Sequence, residues 1–389
     1  MLKDWVWLAQ RKGLSAQTRL ALLSRFGTAE NIYCADPEEL LLTEDMDAQQ
    51  LETLTDRDAS EADRILEACQ RLGVRIITIA DGAYPERLKN LYDPPILLYC
   101  RGELPLLDER LAVAVVGTRD CTPYGERCAE KLGYGLSRGG ATVVTGLAKG
   151  IDAAAARGAL RAGGKPVGVL GNGVDVCYPR ENAYLYDDLA AAGALLSEYP
   201  PGTEPAAPHF PARNRILAGL CAATLVVEAP EKSGALITAA SALEQGRDVF
   251  AVPGPVDAPK SAGCNALIRN GAVLVSEAED LLREYEGRYP LALAPREEPK
   301  ALGYGAEQTQ EATPVLPLID VRAPGAELTD DQISVLRVLS DTEPTLPDDL
   351  AEATGVPIRR LLSALTVLEI DGHVQQHAGK RYTRRVRIK

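Results

Sequence analysis

Residues 111–138 read LAVAVVGTRDCTPYGERCAEKLGYGLSR, and their order decides the fold. Leu111 to Val116 is a short apolar run rich in β-branched residues, the pattern of a buried strand. Gly117-Thr118-Arg119 then makes a sharp turn, and beyond Pro123 the pattern becomes helical. A strand, a glycine turn and a helix start together aim free backbone N–H groups at one point, which suits an anion such as phosphate. The dinucleotide fingerprint G-x-G-x-x-G requires glycine at its second and third positions so that backbone can touch a pyrophosphate. Arg119 and Thr122 occupy those positions here, so a nicotinamide cofactor is poorly served. A guanidinium at that point can instead grip a phosphodiester or stack on a base.

Outward from this stretch the alternation repeats. Apolar strands are expected at 74–80, 95–100, 111–116, 141–145, 166–170, 194–198, 223–229, 248–252 and 272–275, with helical stretches between them. That pattern predicts an α/β, Rossmann-like domain over 73–285, a mostly parallel sheet with helices on both faces. The interval ADGAYPERLKNLYDPPILLYCRG is a turn-rich entry in which Asp93-Pro94-Pro95 must be extended.

Residues 1–72 read as a small helical domain of the SAM or helix-hairpin-helix kind. Asp36-Pro37-Glu38-Glu39 is a helix start, and the helix containing Leu20 to Phe26 stops at Gly27. Such a module either touches a nucleic-acid backbone or packs against a partner, and the many acids between Glu38 and Glu67 speak for the second. Residues 286–327 form a Pro-rich linker, with prolines at 290, 295, 299, 314, 317 and 324. Over 328–389 a capping box, Thr329-Asp330-Asp331-Gln332, opens the first of three helices expected at 330–340, 346–353 and 357–371. Thr345 with Asp348 nearly repeats the box. A hairpin around Ala378-Gly379-Lys380 completes a winged-helix-like unit. DNA and protein are both open as its partner. The acids of its first two helices favour protein, while the six Lys/Arg among residues 380–389 favour nucleic acid.

Composition narrows the function. The 389 residues carry a formal charge of −13, which argues against a surface coated for duplex DNA or anionic membrane but leaves room for a local basic pocket. The eight cysteines are scattered without a C-x-x-C pair, so buried free thiols in a reducing cytoplasm are expected rather than a disulfide frame or zinc site. The N-terminal stretch lacks a signal-peptide core, and no apolar run is long enough to span a bilayer.

Ligands of parallel α/β sheets sit outside the C-terminal strand ends, where the unusual residues fall. Thr145 to Asp152 reads TGLAKGID; Gly146 and Gly150 let backbone approach a ligand, and Asp152 belongs to a first helical turn, as ligand contact or loop anchor. Gly171-Asn172-Gly173 is a further tight turn. Arg213-Asn214-Arg215, just before an apolar run, suggests donors at a helix start. Lys232-Ser233-Gly234 forms a phosphate-sized nest, although no Walker A motif exists. Catalytic machinery is hard to find. The histidines at 209, 373 and 377 form no metal-spaced set, Ser233 lacks a nucleophile elbow, and Asp152 with Glu228 is at best a weak acid–base pair.

Five blocks taken together, VAVVGTRDCTPYG, VVTGLAKGIDAAAARGAL, FPARNRILAGL, VVEAPEKSGALITAASALEQGRDVFAVPG and GCNALIRNGAVLV, closely resemble the DNA-processing protein A (DprA, or Smf) family. The resemblance spans the whole α/β domain, and the flanking units look like that family's accessories. It implies a single-stranded DNA-binding protein that protects DNA taken up in natural transformation and loads the RecA recombinase onto it. It further implies a homodimer with no established reaction and no cofactor, and single-strand-binding protein as a further partner. Carried over by position, the DNA-binding residues are Gly117, Thr118 and Arg119; Gly146, Ala148, Lys149, Gly150, Ile151 and Asp152; Arg213, Asn214 and Arg215; and Lys232, Ser233 and Gly234. Thr118 stands where serine is commoner, and Lys149 where arginine is frequent. Arg119, Lys149, Arg213, Arg215 and Lys232 are expected to converge in one crevice. Arg359, Arg360, Lys380, Arg381, Arg384 and Arg385 are candidates for accessory DNA contacts. The competing reading is a Rossmann-like enzyme acting on a nucleotide or ribosyl substrate.

Overall fold

The computed structural model describes residues 1–44, 46–289, 318–319, 328–341, 345–377 and 381–388. They form two compact units, one within Met1–Lys300 and one within Ala301–Lys389. Most of the expected linker, the hairpin tip at 378–380 and Lys380 with it lie outside the described residues.

Six helices open the chain: α1 (Leu2–Gln10), α2 (Ala16–Phe26), α3 (Ala29–Cys34), α4 (Pro37–Leu40), α5 (Ala48–Thr55) and α6 (Ser60–Leu72). Ser15 caps α2 by accepting from the Thr18 N–H, and Gly27 ends it. Trp7, Leu22, Ile32 and Leu54 from these helices share one hydrophobic cluster with Leu97, Tyr99 and Leu195 of the sheet.

The sheet has nine strands: β1 (Arg75–Thr78), β2 (Leu97–Gly102), β3 (Ala112–Val116), β4 (Thr142–Thr145), β5 (Val167–Leu170), β6 (Ala194–Ser197), β7 (Ala223–Val226), β8 (Asp248–Ala251) and β9 (Val273–Leu274). Their spatial order is β1-β2-β6-β5-β4-β3-β7-β8-β9. β1 and β2 pair antiparallel, as do β2 and β6, and every other pairing is parallel. Between them run α7 (Glu86–Lys89), α8 (Pro123–Arg138), α9 (Ile151–Arg161), α10 (Ala183–Ala192), α11 (His209–Gly219), α12 (Gly234–Glu244), α13 (Ala262–Arg269) and α14 (Ala278–Arg283).

β3 is buried on both faces, as a central parallel strand must be. Ala112, Ala114 and Val116 pack with Ile216 and Leu217 of α11 and Ala239 of α12. The alternate residues Val113 and Val115 pack with Leu132 and Leu136 of α8 and Ala155 of α9. The chain builds from β3 towards β6 in one direction and returns to place β7 on the other side of β3. That reversal is a topological switch point, where the loops leaving two neighbouring strands part and open a crevice.

This core runs past the expected end at 285, because Tyr289 is buried in the same cluster and its hydroxyl accepts from Arg87 Nη2 at 2.5 Å. In the C-terminal unit, β10 (Leu318–Ile319), from inside the expected linker, pairs in parallel with β13 (Arg387–Ile388). α15 (Asp330–Val338), α16 (Pro347–Thr354) and α17 (Ile358–Ile370) precede the antiparallel pair β11 (Val374–His377) and β12 (Arg381–Arg384), a winged-helix arrangement. Thr329 and Gln332 form the capping box. Thr345 does not cap α16. It bridges to Tyr382, and Leu346 takes the N-cap ahead of Pro347. Among the described residues no helix is long and apolar enough to cross a membrane.

Candidate functional site

The turn after β3 is held from below and behind. A Cβ at Gly117 would lie 2.4 Å from Ile151 Cγ1, so only glycine lets this turn close over the fully buried Ile151. The Thr118 N–H donates to the Glu228 carbonyl at 2.7 Å, joining the turn to the end of β7. Glu228, 3% exposed, spends both carboxylate oxygens on Thr122, accepting from its N–H at 2.8 Å and its hydroxyl at 2.7 Å. Thr122 in turn caps α8, its Oγ1 accepting from the Gly125 N–H, with Pro123 as the first helical residue. Glu228 is thus a brace between β7 and α8, with each carboxylate oxygen engaged by Thr122.

With the turn fixed, Arg119 projects into solvent, its guanidinium carbon 5.3 Å from the Phe210 ring centroid. Phe210 lies 5.6 Å from Tyr178, which is 40% exposed. On the other side, Ser233 caps α12 by accepting from the Ala235 N–H, and Lys232 is exposed with no ion pair among the described residues. The crevice between them is a cavity of about 680 Å³. It brings together Gly117, Thr118, Arg119, Ala148, Asp152, Arg213, Asn214, Lys232, Ser233 and Gly234. A recess of about 50 Å³ beside it adds Gly146 and Lys149.

Lining the crevice does not leave every side chain available, and of the five cations expected to converge, Arg215 is absent from both the crevice and its recess. Arg213 is 6% exposed, and its Nη1 donates to the Gly146 carbonyl at 2.9 Å and to the Val169 carbonyl. A Cβ at Gly146 would meet this guanidinium at 2.5 Å. Burial lowers the Arg213 pKa, and the nearby Asp152 charge opposes that shift. Asp152, 5% exposed, accepts from the Gly146 N–H at 3.0 Å. Burial raises its pKa, against the pull of Arg213 and of the Ala148 and Gly146 amides. Arg215 turns away from the crevice into a double clamp, with Glu198 at 2.8 and 2.9 Å and Asp93 at 2.7 Å. The R-N-R segment also sits within α11, which begins at His209, and not at a helix start. Pro211 falls in the first turn, where its missing N–H has no helical partner to lose. Ile151 lies beneath the turn, and Gly150 is the residue from which α9 starts.

Sequence reasoning missed the aromatic wall. Phe210 sits inside a quoted segment, but a lone aromatic beside a proline carries no period. It also missed Asn182, whose Nδ2 donates to the Leu147 and Ala148 carbonyls at 2.9 and 3.1 Å and fixes the loop after β4.

Of the accessory basic residues, Arg360 pairs with Asp331 through two bonds of 2.8 Å. Arg384 Nη1 donates to the Leu336 carbonyl, and Arg385 donates to Gln375 Oε1. Arg359 and Arg381 are exposed without an ion pair among the described residues. No group of three or more His, Cys, Asp or Glu among the described residues is placed to hold a metal ion.

The profile of the DNA recombination-mediator protein A family matches residues 75–286, and that of the DprA winged helix domain matches 321–380. A protein named Smf from Synechocystis is 36% identical over 397 residues, covering 98% of each chain. DNA processing protein DprA of Streptococcus pneumoniae is 48% identical over 209 residues, 54% of this chain and 73% of that one. The crystal structure of DprA from the same organism superposes with a TM-score of 0.65 at 38% identity, over 72% of this chain and 97% of that one. DprA of Helicobacter pylori, whose structure is described as showing a single-stranded DNA binding mode, superposes with a TM-score of 0.51 at 31% identity, over 55% of this chain and 97% of its own.

Proposed function

We infer the function from one premise: the chain belongs to the DNA recombination-mediator protein A family. We propose that it binds single-stranded DNA in the crevice between the β3 and β7 loops, protects DNA entering by natural transformation, and delivers it to RecA. On this reading it acts in the cytoplasm as a homodimer, with single-strand-binding protein as a second partner, and catalyses no reaction. The observation that carries the proposal is Arg119, held over Phe210 at the switch point and facing Lys232 across the crevice. A guanidinium, an ammonium and two helix starts read phosphate, and aromatic faces accept any base, so sequence preference is slight and duplex competes poorly.

The test is fluorescence anisotropy on labelled oligo-dT. Charged hydrogen bonds contribute roughly 1.5–3 kcal/mol each, so Arg119→Ala weakens binding by about ten- to a hundredfold. Unchanged affinity in that variant would place the DNA elsewhere. The enzyme reading has one observation in its favour, the buried Asp152 with its raised pKa at the crevice floor. Incubation with nucleoside monophosphates and with oligonucleotide in Mg²⁺ or Mn²⁺ separates the two. Turnover abolished by Asp152→Ala would establish the enzyme.

A further inference from the structure

Four strands adjacent in the sheet, β4, β3, β7 and β8, each end in a loop that carries one exposed or half-buried cation. These are Lys149 after β4, Arg119 after β3, Lys232 after β7 and Lys260 after β8. Neighbouring strands lie about 4.8 Å apart, so the four loops span roughly 14 Å across the strand ends. The inner two cations, Arg119 and Lys232, have no ion pair among the described residues. The outer two are both held. Lys149 Nζ lies 2.5 Å from Glu181 Oε1, and Lys260 Nζ lies 2.7 Å from Asp120 Oδ2.

Both holders are open to solvent, Glu181 with 63% and Asp120 with 93% of its side chain exposed. Pairs of this kind contribute only about 0–1 kcal/mol and are screened by salt. A phosphate oxygen, by contrast, can accept a charge-assisted bond from the same ammonium. Asp120 also follows Arg119 directly and lines the crevice, so its charge opposes an arriving phosphate.

Building on the single-strand reading above, we propose that Lys149 and Lys260 are the outer ends of a four-cation track running across β4-β3-β7-β8, and that Glu181 and Asp120 are placeholders which release these lysines to phosphates when a strand binds. The carboxylates keep the lysines extended at the strand ends in the free protein. They also weaken the hold on any short or poorly charged anion that cannot displace both.

The experiment is a salt series on the full chain with labelled oligo-dT. Four neutralised phosphates give a log–log slope of about −2.8 for a single strand, at about −0.7 each. Lys149→Gln and Lys260→Gln each make the slope shallower by about 0.7. Asp120→Asn and Glu181→Gln bind about two- to fivefold tighter at unchanged slope, since the number of phosphate contacts is the same. Lysine variants that keep the wild-type slope, or carboxylate variants that bind no tighter, would overturn the track. Arg119→Ala in the same series separates the failures. Binding lost there but untouched by the lysine variants refutes the track and leaves the crevice standing. A wild type that does not bind, or an Arg119→Ala variant that binds normally, removes both.

Discussion

The crevice and the C-terminal unit both hold several basic residues, but they use them differently. At the crevice, Arg119 and Lys232 are exposed without an ion pair among the described residues, while the buried Glu228, Asp152 and Arg213 do the structural work around them. In the winged-helix unit, Arg360, Arg384 and Arg385 bond to Asp331, the Leu336 carbonyl and Gln375, which leaves Arg359 and Arg381 exposed without an ion pair among the described residues, and the outward side of α17 carries Ile358, Leu362 and Val367. Basic content is therefore a poor guide to where a polyanion is held. What counts is whether the charge is still available once folding has used its share, because a guanidinium already satisfied by protein acceptors offers a phosphate little further gain.

Three substitutions and one truncation break or sharpen this contrast. The largest effect belongs to Arg213, the crevice arginine that folding has consumed. Arg213→Ala removes the donor to the buried Gly146 and Val169 carbonyls, costing about 1–3 kcal/mol of stability for each acceptor left unpaired, by denaturant unfolding. Arg119→Ala leaves that unfolding midpoint unchanged, so the two arginines separate cleanly into fold and ligand. A smaller effect comes from removing the C-terminal unit. A chain ending after Tyr289 keeps the buried Tyr285 and Tyr289 and binds oligo-dT within about tenfold of the full chain, roughly 1.4 kcal/mol. A greater loss would return the basic tail to the main site. The smallest belongs to Arg360, already paired at the surface. Arg360→Ala changes oligo-dT affinity by less than about twofold, in keeping with the small energy of exposed pairs.

The central strands β3 to β7 were legible because strands buried on both faces need unbroken apolar runs, and such runs stand out between helical stretches and glycine turns. The switch-point loops were legible for a related reason, since backbone that must approach a ligand or a neighbouring chain selects glycine. Charge use was not legible. Arg213 and Arg215 are separated by one residue and look alike in sequence, but 3.6 residues per turn sends one inward to the Gly146 carbonyl and the other to Glu198 and Asp93. Asp93 is 122 positions distant in the chain, and no period or spacing reports such a pairing. The cross-loop pair of Lys260 with Asp120 was hidden in the same way, spanning 140 positions.

Glu228 carries a consequence for how a ligand is met. Its backbone carbonyl accepts from the Thr118 N–H and its carboxylate from the N–H and hydroxyl of Thr122, joining two loops whose sequences lie 106 positions apart. The mouth between β3 and β7 is therefore shaped when the sheet assembles, and no loop has to condense around the guest. The entropy of ordering these walls is spent in folding and is not charged again to association. A calorimetric titration should then show a heat-capacity change matching the apolar surface covered by the bases alone, without the larger change that accompanies coupled folding.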